Sequence, residues 1–263
     1  MANPVAAILA RPNDDTTKTV VIAALVAFVC AVLVSTASVL LDPIQQEQIE
    51  AEQAARMEAM LDTLPGMREV MEEAGVTALE TRIVDLTTGA FAPEIDPASF
   101  DMMAAANDPA QSIELSTEED LASIRRRPNH APVHLLERDG NILLIVLPVY
   151  GSGYASTIRA MLALEADLST VATLTITEQG ETPGLGARIT EPDWQARWPG
   201  KELLNEHGDI VIEVVRGEAQ SVHQVDGISG ATRTGDGVTF ALQFWMGPNG
   251  YGPFLDQLRQ EGL

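Results

Sequence analysis

Lysine is almost missing from this chain and cysteine occurs once. Only 16 of its 263 residues are basic, 14 Arg and 2 Lys, against 38 acidic ones, for a formal net charge of −22. Charges cancel up to Leu41, where Arg11 and Lys18 meet Asp14 and Asp15, so the whole surplus falls on the remainder. Such a surface repels nucleic-acid phosphates and anionic headgroups, and nucleic acid is not an expected partner. Its simplest reading is solubility or a salty habitat. Cys30 lies in an apolar run, so residues 42–263 hold no disulfide and no thiolate metal site. Histidine is scarce too. His130 and His134 are spaced i, i+4, but Pro128 and Pro132 deny them a regular helix, and no metal is expected. A GxGxxG loop or other nucleotide fingerprint is also lacking.

Against these absences stands one long apolar run. Thr19 to Leu41 is 23 residues without charge, proline or glycine. At ~1.5 Å per residue it can cross a hydrocarbon core of ~30 Å. A cleavable leader is the rival, with Ser35-Thr36-Ala37-Ser38 as its cleavage site, but such apolar regions usually run ~7–15 residues. Arg11 and Lys18 precede the run and only Arg56 follows it closely, which favours a cytoplasmic N-terminus. The chain then divides into a short cytoplasmic segment (1–18), a membrane helix (19–41), a helical stalk (42–75) and a periplasmic domain (76–263). The stalk rests on Ile49, Ala54, Met57, Met60, Leu61 and Leu64 at helical steps, broken by Pro65-Gly66 before a second short helix over Met67 to Ala74.

Within the large domain, strands are predicted at Thr81 to Thr87, Asn141 to Val149, Val171 to Thr177 and Ile210 to Val215. The second is apolar enough to be buried on both faces. Residues 157–165 suit strand or helix, and Asp167-Leu168-Ser169-Thr170 favours a hairpin. Residues 93–120 read as a surface excursion, and Arg125-Arg126-Arg127 as a solvated turn, a set of local salt bridges or a docking patch. Pro192 starts a short helix carrying Trp194 and Trp198, and helices close the chain at Val238 to Trp245 and Pro253 to Gln260. Together these make an α+β fold: a central, mostly antiparallel sheet flanked by helices.

Two segments carry chemistry. Asp226-Gly227-Ile228-Ser229-Gly230-Ala231-Thr232 has small residues leading to an open threonine oxygen. Read plainly, it is a loop-to-helix junction in which Ser229 and Thr232 cap a helix beginning at Thr234 or Asp236. Read functionally, helix N-termini hold phosphates through free N–H groups. Glu178-Gln179-Gly180-Glu181-Thr182-Pro183-Gly184-Leu185-Gly186 directly follows a strand. It is either a hairpin loop or a rigid backbone surface offering polar groups and an apolar plate, Leu185, to a flat ring.

As a pair, the ETPGLG loop and the SGAT stretch resemble the flavin-binding domain of the C subunit of the sodium-translocating NADH:quinone oxidoreductase. The likeness extends through Asp193-Trp194-Gln195-Ala196-Arg197-Trp198 and through the block from Phe244 to Leu255, and is specific over residues 140–263. It implies FMN esterified by a flavin transferase through its phosphate to Thr232. It also implies a cofactor site drawing on Asp226, Ser229, Gly230, Ala231, Glu181, Thr182, Leu185, Gly186 and Tyr154. Asp226 would orient the stretch or assist deprotonation of Thr232. Where the family reads GKGLWS, this chain has Gly151-Ser152-Gly153-Tyr154-Ala155-Ser156, so Ala155 replaces a Trp and Tyr154 keeps an aromatic one place early. The resemblance further implies a membrane-anchored electron carrier among other subunits, in a complex that oxidises NADH on another subunit, reduces ubiquinone and exports sodium. Two alternatives stand beside it: the G subunit of the related ion-translocating ferredoxin-oxidising complex, and a tethered periplasmic binding domain without cofactor.

Overall fold

The computed structural model describes Thr16, Lys18 to Val32, Ser35 and residues 79–261. The chain divides into two units, Met1–Glu58 and Ala59–Leu263. In the first, residues 18–32 form helix α1, whose apolar side chains such as Leu25 and Phe28 are exposed. Among the described residues no helix is long and apolar enough to cross a membrane. Most of the expected span beyond Val32, and the helical stalk at 42–75, lie outside the described residues.

The second unit is built on a five-stranded sheet in the order β1-β4-β5-β6-β7, antiparallel throughout. Its strands are β1 (Glu80–Asp85), β4 (His130–Arg138), β5 (Asn141–Ser152), β6 (Thr157–Glu165) and β7 (Val171–Glu178). The ambiguous 157–165 segment is therefore a strand. The Asp167 carboxylate accepts from the Ser169 and Thr170 amides at 3.0 and 2.8 Å, closing the turn that returns it as a hairpin. β5 lies at the centre, and Ile145, Val146 and Leu147 are fully buried, as a run apolar on both faces requires.

The segment between β1 and β4 is more than a surface excursion. It holds helix α2 (Met102–Asn107) and a two-stranded ladder of β2 (Ser112–Glu114) with β3 (Arg126–Pro128). Asp101 caps α2, accepting from Met103 and Ala104 amides at 2.8 and 3.0 Å, and Met102, Ala105 and Ala106 are buried. The basic cluster is not one solvated turn either. Arg127 is buried in β3 and donates to Thr87 Oγ1, and Arg126 pairs with Glu114, because the ladder turns alternate side chains to opposite faces.

Past β7 come a 3-10 turn (Gly186–Thr190) and helix α3 (Pro192–Gln195). α3 ends before Trp198, contrary to expectation, yet Trp198 still packs edge-on to Trp194 with ring centroids 5.5 Å apart. The strand expected at 210–215 shortens to β8 (Glu213–Val215), because Ile210 pairs with Leu204 instead. A strand not expected, β9 (Gln224–Asp226), lies parallel to β8.

Helices α4 (Thr232–Met246) and α5 (Gly252–Glu261) close the chain. Trp245 of α4 donates its indole N–H to the Tyr150 carbonyl of β5 at 2.6 Å. The Tyr251 hydroxyl reaches the carbonyls of Pro148 and Pro132 at 3.0 and 3.2 Å. Both rings are fully buried, and each buried large side chain contributes about 1.5–3 kcal/mol. These ties clamp α4 along β5 and fix where its N-terminus emerges.

His134 sits opposite Thr81 across the β1–β4 ladder, its Nδ1 2.9 Å from the threonine hydroxyl. Burial pushes its pKa down to about 4. Between that value and ~6.5 the unfolded chain takes up a proton that the folded chain refuses. Stability therefore falls as pH drops through this window, by at most about 1.4 kcal/mol per unit. Urea unfolding at pH 7, 6 and 5 should show that slope, and His134→Asn should flatten it; an unchanged slope would refute the assignment.

Candidate functional site

The two motifs separated in sequence meet in space. Glu181, the first residue of the ETPGLG loop, is buried. Its carboxylate accepts from the amides of Tyr154, Ala155 and Ser156 at 3.2, 2.9 and 3.1 Å and from the Ser156 hydroxyl at 3.2 Å. The Thr234 hydroxyl of α4 donates a fifth bond at 2.6 Å. Burial by itself would raise this carboxyl. The bonds from Thr234, Ala155, Ser156 and Tyr154 outweigh it and hold the group below the ordinary glutamate range. Glu181 thus joins the β5–β6 turn to the start of α4, with all its acceptor capacity used inside the protein.

Glycine makes the close approach possible. A Cβ on Gly186 would lie 2.5 Å from Thr234 Oγ1 and 2.9 Å from Glu181 Oε2, so no larger residue fits there. Gly230, at φ +78°, turns the acceptor stretch, and the position its Cβ would take is 3.0 Å from Leu185 Cδ2. Leu185 therefore lies beside the SGAT backbone, and it is exposed. The Thr182 carbonyl accepts from the Leu185 and Ala187 amides, both at 3.1 Å, which curls the loop back on itself.

Helix α4 starts earlier than expected, at Thr232 itself. Ala231 is the N-cap and no side chain caps it, so neither Ser229 nor Thr232 plays the capping role. Gly235 and Gly237 weaken the helix signal in the sequence, yet they let the first turns press against Val214 and the Ser152–Gly153 backbone. Thr232 is half-buried, and its hydroxyl has no partner among the described residues. It lines a cavity of about 330 Å³ together with Ser229, Gly230 and Ala231. Val214, Val215, Arg216, Gly217, Gly227, Ile228 and Gly235 complete the wall.

Asp226, at the end of β9, is tied to a different set. Its Oδ2 accepts from Arg197 at 2.8 Å, its Oδ1 from the Ala219 amide at 2.6 Å, and its carbonyl from the Trp194 indole at 3.0 Å. Both oxygens are engaged, and no bond runs to Thr232 among the described residues. Asp226 therefore pins the Trp194–Arg197 segment and the 216–219 turn to the acceptor stretch. Tyr154 is exposed, with the Arg233 guanidinium 5.7 Å from its ring centroid. Sequence reasoning missed Thr234, Arg216 and Arg233. Only their closeness to the two motifs could have drawn attention to them.

Comparison with known proteins bears on this site. The model of the FMN-binding domain family matches residues 153–247. Over 258 residues the chain is 40% identical to the C subunit of the Na(+)-translocating NADH-quinone reductase of Yersinia pestis, covering 96% of this chain and 97% of that one. The same subunit of Pseudomonas aeruginosa is 40% identical over 259 residues, covering 94% of this chain and 98% of that one. The crystal structure of Shewanella oneidensis NqrC superposes with a TM-score of 0.71 at 30% identity, covering 80% of this chain and 99% of that one.

Glu181→Gln should test the hub. An amide presents N–H groups to donors and leaves buried amides unpaired, at a cost of about 2–4 kcal/mol. Thermal melting at neutral pH should fall by roughly 5–10 °C for a domain of this size. A depressed carboxyl stabilises above its unfolded value of ~4.3 and loses that contribution as pH falls through the folded value. The variant should lack that acidic limb, and a melting temperature equal to that of the parent would refute the account.

Proposed function

Because the chain belongs to the C subunit family of the Na(+)-translocating NADH-quinone reductase, we propose that it carries FMN joined by its phosphate to Thr232. The observation that carries this reading is the free Thr232 hydroxyl in a cavity of about 330 Å³, within the usual size range of small-molecule sites. The residues fit the group. Thr232 supplies the ester oxygen, the first turn of α4 supplies unsatisfied N–H groups, and Gly230 leaves the backbone open. Glu181 and Gly186 hold the ETPGLG loop beside them, so that Leu185 and Tyr154 present apolar surface to the flavin. When bound, FMN supplies reversible uptake and release of electrons at its ring. The protein positions the group and sets its surroundings. Ala155 leaves the flavin without the family's Trp, and Tyr154, steadied by Arg233, is the aromatic on hand.

In this reading the chain takes part in a complex that oxidises NADH on another subunit, reduces ubiquinone and exports sodium. Residues 19–41 anchor it once in the inner membrane, with the N-terminus cytoplasmic and the domain periplasmic. A covalent bond suits a compartment where a dissociable flavin would be lost. A flavin transferase makes the ester during maturation. The near-full-length likeness to the reductase's C subunits favours this over the ferredoxin-linked G subunit or a cofactor-free binder.

After co-expression with a competent flavin transferase, a denaturing gel under ultraviolet light should show a fluorescent band that Thr232→Ala abolishes. The tryptic peptide of residues 217–233 should carry the mass of FMN less water. A dark wild-type band, or an unmodified peptide, refutes the ester. Asp226→Ala should lower loading with only a modest fall in melting temperature, since its partly exposed ion pair with Arg197 contributes at most about 1 kcal/mol and its bond from the Ala219 amide about 1 kcal/mol more. Full loading of that variant removes Asp226 from the site.

A further inference from the structure

The lining of the Thr232 cavity runs against the acidic character of the chain. The chain has 38 acidic residues, yet none lines this cavity, and its only charged wall residue is Arg216. Most described arginines are committed elsewhere: Arg82, Arg126, Arg159, Arg188, Arg197 and Arg259 each pair with a carboxylate. Arg216 makes no ion pair or hydrogen bond among the described residues. Arg125 and Arg233 also stand outside any ion pair among the described residues, but only Arg216 shares a cavity wall with the unpartnered Thr232 hydroxyl, and that combination suits an anion.

The backbone holds Arg216 there. It follows β8 directly, and β8 lies parallel to β9, whose last residue is Asp226. The Gly227 amide donates to the Gly217 carbonyl at 3.1 Å, and Asp226 Oδ1 accepts from the Ala219 amide at 2.6 Å. The 216–219 turn is thus pinned on both sides to the stretch that ends in Thr232. On the same cavity wall, α4 opens with amides that no side chain caps. An exposed guanidinium on the wall that the first residue of α4 also lines suits a phosphate in its chemistry, whatever bond the phosphate later forms.

We infer that Arg216 binds the phosphate of the flavin nucleotide and so positions it against the Thr232 hydroxyl. This rests on the flavin reading of the cavity and adds to it a residue that neither motif contains. Arg216 acts by electrostatics and by N–H donation, without bond making of its own. Arg233, next to Thr232 and stacked on Tyr154, adds positive potential from outside the cavity wall.

The test uses the full chain in detergent, made without a flavin transferase so that Thr232 stays unmodified. FMN and riboflavin, which lacks the phosphate, are titrated while flavin fluorescence is followed. The wild type should hold FMN about tenfold more tightly than riboflavin, the gain expected for one charge-assisted contact. Arg216→Gln should remove most of that gap and leave riboflavin binding unchanged. Arg216→Lys should restore part of it, and Arg125→Gln, a neutralised exposed cation elsewhere, should have no effect. A wild type indifferent to the phosphate overturns the inference, as does an Arg216→Gln chain that weakens both flavins equally. The covalent reading is judged separately by the fluorescent band. A dark band with the FMN preference intact removes the ester and leaves Arg216 in place.

Discussion

One buried carboxylate holds the site together. Taking a charge out of water costs several kcal/mol even after relaxation, so an isolated Glu181 would not stay ionised where it is. Five donors converge on it, three backbone amides and two hydroxyls, and together they offset that cost. The donors come from two elements, the 154–156 turn and the first turn of α4. Whatever fixes Glu181 therefore fixes both, and Thr232 stands two residues from the deepest of the five donors. The constraint is geometric as well as electrostatic. The carboxylate works only if Gly186 and Thr234 lie nearly in contact, which is why a residue without Cβ occupies that position.

The second constraint is the anchoring of α4. Its C-terminal half is clamped by Trp245 to the Tyr150 carbonyl, and Tyr251 just beyond it bonds the carbonyls of two prolines in β4 and β5. Its N-terminal half contains Gly235 and Gly237 and is poor in helix propensity. Tertiary contact overrides that weakness: the glycines allow the helix to lie against the end of β5, and packing repays the propensity. The result is a helix start with uncapped amides at a fixed place. Such a start has polar capacity that the protein itself leaves unused.

In the central sheet, β1, β5 and β7 were legible in the sequence because they are bounded by turn signals, and the Asp167 turn pointed to the β6–β7 hairpin. The nine-residue β4 was not read, its run interrupted by Pro132. The short elements were not legible either. β9 has three residues and no periodicity to read, and its pairing with β8 is set by the Asp226 contacts, which lie far apart in sequence. Ile210 left its expected strand for Leu204 because a lone bridge and a ladder are alike locally. Local sequence starts α4 late, at Thr234, Asp236 or Val238, since glycines argue against helix until the neighbouring strand is known. At the site, the residues of the two motifs were found through resemblance, and the plain readings of each motif alone were equally good. What sequence could not supply was the division of labour. Glu181, placed among the cofactor residues, spends every lone pair on the protein, whereas Thr234 and Arg216 belong to no motif.

Charge gives that division its physical sense. In a domain this acidic, each arginine is drawn to a carboxylate, and six of the described ones have found theirs. An exposed pair of this kind adds little stability. Its larger effect here is to cancel local positive potential, so that a cation left unpaired stands out against an otherwise repulsive surface. In the proposed reading, a phosphate approaching this acidic domain is favoured beside Arg216 and the uncapped start of α4. On that same reading, selection of Thr232 for the ester among the many hydroxyls of the chain then needs no elaborate recognition. It follows from where the acidic residues are absent.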